Sequence, residues 1–181
     1  MDRSVEQLVD EILVMDCQRG RVKAMEILVS RWQKRLWQYA YKLTGNVEAS
    51  WDITQESWLS IIKGIRKLRD PANFKAWAYK ITTNKSIDWI RKSKAVKQTS
   101  IDEIEQQQAS PKKDTGVKEL LEKIDIEKKV VLTLYYFEQL NISEISVALK
   151  VPKGTVKSRL HKARKELKKL YQKYNEENFK E

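Results

Sequence analysis

The chain is predicted to be all-α: two small helical domains joined by a flexible linker, the second carrying a helix-turn-helix. Three observations predict this. Apolar residues recur at helical spacing over most of the 181 residues, and 41% hydrophobic residues suffice for modest helical cores. Five glycines and three prolines supply too few turns for an all-β chain. The apolar period lapses once, between Ser93 and Gly116, where the sequence turns polar, Gln-rich and is broken by Pro111. The divisions that follow are a first domain over 1–94, a linker over 95–116, a second domain over 117–175 and a tail over 176–181.

Ser4 and Gln7 form a capping-box pattern, and Val5, Leu8, Val9 and Ile12 open a first helix that fades near Arg19 and Gly20. A second helix is expected from Val22 to Thr44, with Ala24, Leu28, Trp32, Leu36, Tyr39 and Leu43 on its core face and Gly45 as its stop. Asn46 caps a third helix, whose buried stripe is expected to be Val47, Trp51, Trp58, Ile62 and Ile65. Asp70 and Pro71 cap and start a fourth, in which Phe74, Trp77, Ala78 and Ile81 face inward and Tyr79 is the aromatic expected to be exposed. This helix should end near Lys94. All six tryptophans precede residue 90, so the first half is expected to have a core separate from that of the second.

The linker is expected to hold a turn of helix around Ile101 to Ile104. Val117, Leu120, Leu121 and Ile124 begin the second domain, and Val130, Val131, Leu134, Tyr135 and Phe137 extend it. A capping box at Asn141 and Glu144 then opens a short helix through Ile142, Ile145 and Leu149 to about Lys150. Pro152 and Gly154 mark a tight turn. A longer helix follows, with Val156, Leu160, Ala163, Leu167 and Leu170 inward, and it is expected to fray after Tyr174. Opposite the apolar face lie Ser158, His161, Lys162 and Lys165, flanked by Lys157 and Arg164. A capped short helix, a turn and a basic helix together suit the major groove of DNA.

The formal charge of +11 favours a polyanionic partner. Residues 1–95 carry 18 basic and 11 acidic groups, residues 96–115 carry 3 and 4, and residues 116–181 carry 15 and 10, so both outer segments are basic. Arg66, Lys67, Arg69, Lys75, Lys80, Lys85, Arg91 and Lys92, interleaved with aromatics, suit a nucleic-acid single strand. Against this background Glu48, Asp52 and Glu56 stand at i, i+4 and i+8 on the third helix, with Gln55 beside them. The helix dipole accounts for acids in the first turn but not for Glu56, so the stripe points to a basic protein partner.

Several classes are excluded. A single cysteine, Cys17, makes no internal disulfide, no apolar run reaches membrane-spanning length, and the amino terminus lacks a signal-peptide pattern, so a cytoplasmic protein is expected. His161 is the only histidine, and no metal-ligand spacing accompanies it. Gly64 and Gly154 are isolated and make no phosphate cradle, and no nucleophile and base are paired. Neither an enzyme, a cofactor nor a small-molecule substrate is expected.

Three runs carry a family resemblance: YAYKLTGNVEASWDITQESWLSI, DPANFKAWAYKITTNKSIDWIRK and VPKGTVKSRLHKARKEL. Together they resemble the extracytoplasmic-function (ECF) sigma factors of bacterial RNA polymerase, within the sigma-70 family. The resemblance implies a domain that docks on core polymerase and opens the −10 promoter element, and a second that reads the −35 element. It places the polymerase-docking pattern Asp-x-x-Gln-Glu on Asp52, Gln55 and Glu56, with Glu48 beside it, facing the clamp helices of the largest polymerase subunit. The loop that captures a flipped −10 base falls at Arg66 through Asn73, including Lys67 and Arg69, with Lys80 and Asn84 on the neighbouring helix. The −35 readers fall on Lys157, Ser158, His161 and Lys162, with Thr155, Arg159 and Lys165 completing the set. Ser50 and Trp51 depart from the family pattern, which often carries an acid at the first position and an acid or alanine at the second. The resemblance also implies promoter DNA as a partner and an anti-sigma factor, often membrane-bound in the family. A linker of about 23 residues reaches at most ~75–80 Å. Elements about twenty base pairs apart lie ~70 Å apart, within that reach. The competing reading is a DNA-binding regulator that binds duplex DNA without polymerase.

Overall fold

The computed structural model describes residues 4–99 and 117–178, and these form eight α-helices and no strand. The first domain consists of α1 (Val5–Gln18), α2 (Val22–Thr44), α3 (Val47–Gly64) and α4 (Phe74–Thr99), with 3-10 turns at Ile65–Lys67 and Pro71–Asn73 between the last two. The second consists of α5 (Val117–Glu122), α6 (Ile126–Leu132), a π turn at Thr133–Phe137, α7 (Ile142–Leu149) and α8 (Lys153–Asn178). The expected turn at Ile101 to Ile104, and Pro111, lie outside the described residues.

Local chemistry sets most boundaries. The Ser4 hydroxyl accepts from the Gln7 amide at 3.3 Å while the Gln7 side chain accepts from the Ser4 amide at 3.1 Å, closing the capping box of α1. Asn46 accepts from the Ala49 amide at 2.8 Å to start α3. Gly45 ends α2 at φ +69°, a left-handed conformation that costs glycine little, and its N–H donates to the Tyr41 carbonyl at 2.8 Å. α4 continues past Lys94 to Thr99, so the boundary expected at residue 94 falls inside a helix.

The face of α2 that the period selects is buried in full: Ala24, Leu28, Trp32, Leu36, Tyr39 and Leu43. Trp32 meets Phe74 and Tyr79 edge-on, with ring centroids 5.3 and 5.8 Å apart. Each such side chain contributes about 1.5–3 kcal/mol by leaving water. Cys17 is buried, as expected of a small apolar residue.

The expected face of α3 is corrected. Trp58 and Ile65 are buried, but Val47, Trp51 and Ile62 are 51%, 43% and 48% exposed. The helix instead turns Ala49, Ser50, Ile53, Thr54, Ser57 and Ile61 inward. Its hydroxyls bury without penalty because each donates back one turn: Ser50 to the Asn46 carbonyl, Thr54 to Ser50 and Ser57 to Ile53, the last two at 2.6 Å. Small side chains let α3 sit close against α2 and α4. At its end a Cβ on Gly64 would lie 2.9 Å from Trp77 Cζ2, so the backbone there passes directly under an indole.

Two further expectations fail together. Tyr79 is 1% exposed rather than an outward aromatic, and the two halves share one continuous apolar core instead of two. The reason is a seam in which α4 packs on α7 and α2 on α6. Glu138, just after the π turn and with its side chain only 8% exposed, accepts a hydrogen bond from the Tyr79 hydroxyl and another from Lys42 Nζ at 2.9 Å. Lys129 Nζ, also buried, donates to the Leu43 carbonyl at 3.0 Å. Each domain thereby satisfies polar groups that the other buries.

Candidate protein and nucleic-acid interfaces

The acidic stripe stands on the outer face of α3. Glu48, Asp52, Gln55 and Glu56 are all exposed, as are Trp51 and Leu59 among them. Trp37 of α2 stacks on Tyr41 with centroids 5.5 Å apart and leans on Trp51 at 5.4 Å, so the acids are bordered by an aromatic shelf. Glu56 is paired within the chain: Lys85 of α4 reaches its carboxylate at 2.9 Å. An exposed pair of this kind is worth little and gives way to a better partner.

The loop between α3 and α4 holds Arg66, Lys67, Arg69 and Asn73 outward and exposed, while Ile65 anchors it at 2% exposure. Asp70 organises its second turn. One carboxylate oxygen accepts from the Ala72 amide at 3.0 Å and the other from Asn73 Nδ2 at 2.8 Å, with Pro71 opening the turn as expected. Asn84 is exposed one turn beyond Lys80 on α4, on the same face. Lys80 is half-buried in the seam. Burial, and then the neighbouring Lys150 charge, hold its pKa below the ordinary lysine value, and burial does the same to Lys75.

The helix-turn-helix is formed by α7 and α8. Its capping box at Asn141 and Glu144 is present, with hydrogen bonds of 2.7 and 3.0 Å. The turn is made differently from the expected Pro/Gly pair. Lys150 carries the left-handed conformation at φ +54°, Ser146 Oγ donates to the Val151 carbonyl at 2.6 Å, and Gly154 lies in the first turn of α8. Along α8, Val156, Leu160 and Ala163 are buried and Leu167 and Leu170 half-buried, which turns Lys157, Ser158, His161, Lys162 and Lys165 to solvent. Thr155 sits at the edge of this face. The helix runs to Asn178, beyond the fraying expected after Tyr174.

The basic residues of α8 divide by partner. Arg159 pairs with Glu127 at 2.7 Å, and Arg164 donates to the Tyr136 hydroxyl at 2.7 Å, so both tie α8 to the α6 layer. Arg159, expected among the −35 readers, is therefore engaged within the domain. Lys157, Lys162 and Lys165 have no ion pair among the described residues and keep their charge outward. Also among the described residues, no cluster of three or more His, Cys, Asp or Glu side chains could hold a metal, and no helix is long and apolar enough to cross a membrane.

Sequence reasoning missed Gln18. This last residue of α1 donates from Nε2 to the carbonyls of Ile65 at 3.0 Å and Leu68 at 2.7 Å, bracketing the basic turn. A lone glutamine at a helix end carries no signal in the sequence.

Comparison with known proteins places both domains. Residues 28–96 match the family model for Sigma-70 region 2, and residues 116–167 that for Sigma-70, region 4. RNA polymerase sigma factor SigV of Bacillus subtilis is 30% identical over 132 residues, 71% of this chain and 80% of its own length. ECF RNA polymerase sigma factor SigW of the same organism is 27% identical over 174 residues, covering 86% and 93% of the two chains. The fold is that of sigma factor RpoE of Bartonella quintana, solved in complex with the anti-sigma factor NepR, with a TM-score of 0.70 at 20% identity over 83% of this chain and 98% of the other. The chain belongs to the sigma-70 family of RNA polymerase sigma factors, in its extracytoplasmic-function group.

Proposed function

We propose that this protein binds core bacterial RNA polymerase and directs initiation at promoters bearing −10 and −35 elements, under the control of an anti-sigma factor. The observation that carries the reading is an exposed acidic stripe on an otherwise basic chain, placed in the same domain as a preorganised basic loop. The first domain uses Glu48, Asp52, Gln55 and Glu56 to meet the basic clamp helices of the largest polymerase subunit, with Lys85 releasing Glu56 as the complex forms. Arg66, Lys67, Arg69, Asn73, Lys80 and Asn84 then hold the unpaired −10 strand. Unstacking a base costs on the order of a few kcal/mol, which contacts made only in the open state must offset.

In the second domain Thr155, Lys157, Ser158, His161, Lys162 and Lys165 face the −35 major groove, and Arg159 keeps the recognition helix in place against α6. Lysines there neutralise phosphate, while Ser158 and His161 reach base edges. Elements some twenty base pairs apart lie far beyond the direct contact of α4 with α7, so the seam opens when both are engaged. The protein does no bond chemistry of its own and works inside the cell, where polymerase is found. RpoE is bound by an anti-sigma protein. A protein of that kind holding this chain in its closed arrangement would keep the two DNA faces from reaching their promoter elements together.

Reversing charge at Asp52→Lys and Glu56→Lys tests the docking claim. Helical content and melting should be unchanged, because both side chains are exposed, while affinity for core polymerase should fall at least a hundredfold. Each reversal replaces attraction with repulsion, at a cost of several kcal/mol. Wild-type affinity in the double variant would overturn the assignment.

A further inference from the structure

From the geometry at the end of α1 we infer that Gln18 is a positioning residue for promoter opening. It acts by fixing the backbone of the loop that receives the −10 strand. The inference rests on the sigma-factor reading and goes beyond it, since no residue of α1 is among the proposed DNA contacts.

Gln18 Nε2 gives both its protons to the loop, one to Ile65 O and one to Leu68 O, at 3.0 and 2.7 Å. Those carbonyls stand at the two ends of the single turn that presents Arg66 and Lys67. Ile65 O also accepts from the Leu68 amide at 3.2 Å, so one glutamine and one backbone bond together close the turn. The bonded residues are 47 and 50 positions from Gln18 in sequence, so only the fold brings them together. α1 packs along both 3-10 turns, and beyond Gln18 the chain turns away at Gly20, where a Cβ would lie 3.5 Å from Arg66 Nη2. Asp70 holds the other half of the loop through Ala72 and Asn73. The loop is thus fixed inward by its carbonyls and leaves its cationic side chains outward.

A loop so held meets a flipped base without first having to be ordered. Ordering even one extra residue on binding lowers affinity about tenfold. Gln18 suits this task because a primary amide has two donors on one nitrogen, matching two carbonyls that no carboxylate or thioether could satisfy.

The experiment uses the full-length chain with core polymerase on a promoter selected by the wild-type protein, comparing Gln18→Met and Gln18→Glu. Both substitutions keep the length of the side chain. Methionine removes the donors, and glutamate turns a carboxylate toward two carbonyl oxygens. Permanganate reactivity of −10 thymines should appear about tenfold more slowly with Gln18→Met and more slowly still with Gln18→Glu. Polymerase affinity and protection of the −35 element should stay at wild-type values, which a general loss of folding would not allow. In the proteins without polymerase, hydrogen exchange at the Arg66 to Arg69 amides should quicken in the same order. Opening at the wild-type rate by both variants would overturn the inference, as would equal losses in opening, polymerase affinity and −35 protection. A wild-type protein that supports no polymerase-dependent opening would overturn both this inference and the function it rests on.

Discussion

Glu138→Ala should loosen the seam between the two domains while leaving each domain folded. The carboxylate, 8% exposed, is the acceptor for the Tyr79 hydroxyl and for Lys42 Nζ at 2.9 Å. Its removal leaves a buried hydroxyl without an acceptor, a cost of about 1–3 kcal/mol. Lys42 keeps part of its compensation, because its side chain is 31% exposed and lies 4.9 Å over the Phe137 ring, so its loss is reduced to about 1 kcal/mol. The total, ~2–4 kcal/mol, shifts the ratio of closed to open chains by roughly 30- to 1,000-fold. Small-angle scattering reads this directly. A closed chain of this length has a radius of gyration of about 16 Å, and the variant should be measurably larger at unchanged helical content. Tyr79→Phe, which keeps the ring and removes the hydroxyl, should give a smaller increase. Scattering identical to wild type in both variants would refute the claim that these bonds hold the domains together.

Three more outcomes follow from the same contacts. Lys157→Ala with Lys162→Ala should weaken −35 protection by polymerase about equally across −35 sequences, with the salt slope reduced by about one per lost phosphate contact; unchanged protection and slope would count against both assignments. Lys150→Gly should raise the melting temperature by a few degrees, since glycine adopts φ +54° at less cost, by about 0.5–1 kcal/mol, and a like charge beside Lys80 is removed; a lower melting temperature in calorimetry would contradict this. Stability should also vary with pH. Lys75 and Lys80 have folded pKa values below the ordinary 10.5, so the unfolded chain binds more protons in that window and stability rises with pH there. Tyr39 and Tyr79, mainly through burial, are raised above the ordinary 10.0, so above that value the unfolded chain loses protons the folded chain keeps, and stability falls. Cys17, which burial raises above the ordinary 9.0, begins that fall earlier, so thermal melts from about pH 8 to 11 should fall toward the top of the range, and stability still rising at pH 11 would exclude the tyrosine contribution.

What could be read in the sequence was local. The caps at Ser4, Asn46, Asp70 and Asn141, the stop at Gly45 and the inner face of α2 each depend on neighbours a few residues away, and each is found where the pattern put it. The outward lysines of α8 were legible for the same reason, as charges opposite an apolar period, and the acids of α3 by their spacing of four on an otherwise basic chain. The inner face of α3 was hidden because Ser50, Thr54 and Ser57 read as polar, yet satisfy their hydroxyls on their own helix and bury. Tyr79 was misplaced because its partner, Glu138, lies 59 residues away, and no periodicity anticipates a partner that distant. Gln18 was invisible on similar grounds, since its two acceptors come from a loop that only the fold brings beside α1. Lys150 adopts the left-handed turn although Gly154 stood close by, because the end of α7 falls at Lys150 and the chain must turn there.

The measurement that bears most directly on the whole account is transcription from a library of promoter sequences by purified core polymerase, with and without this protein. Transcripts that appear only in its presence, from templates sharing paired upstream motifs about twenty base pairs apart, are the predicted result. Duplex binding by the protein alone, with no polymerase association and no new transcripts, would contradict it and make the chain a DNA-binding regulator.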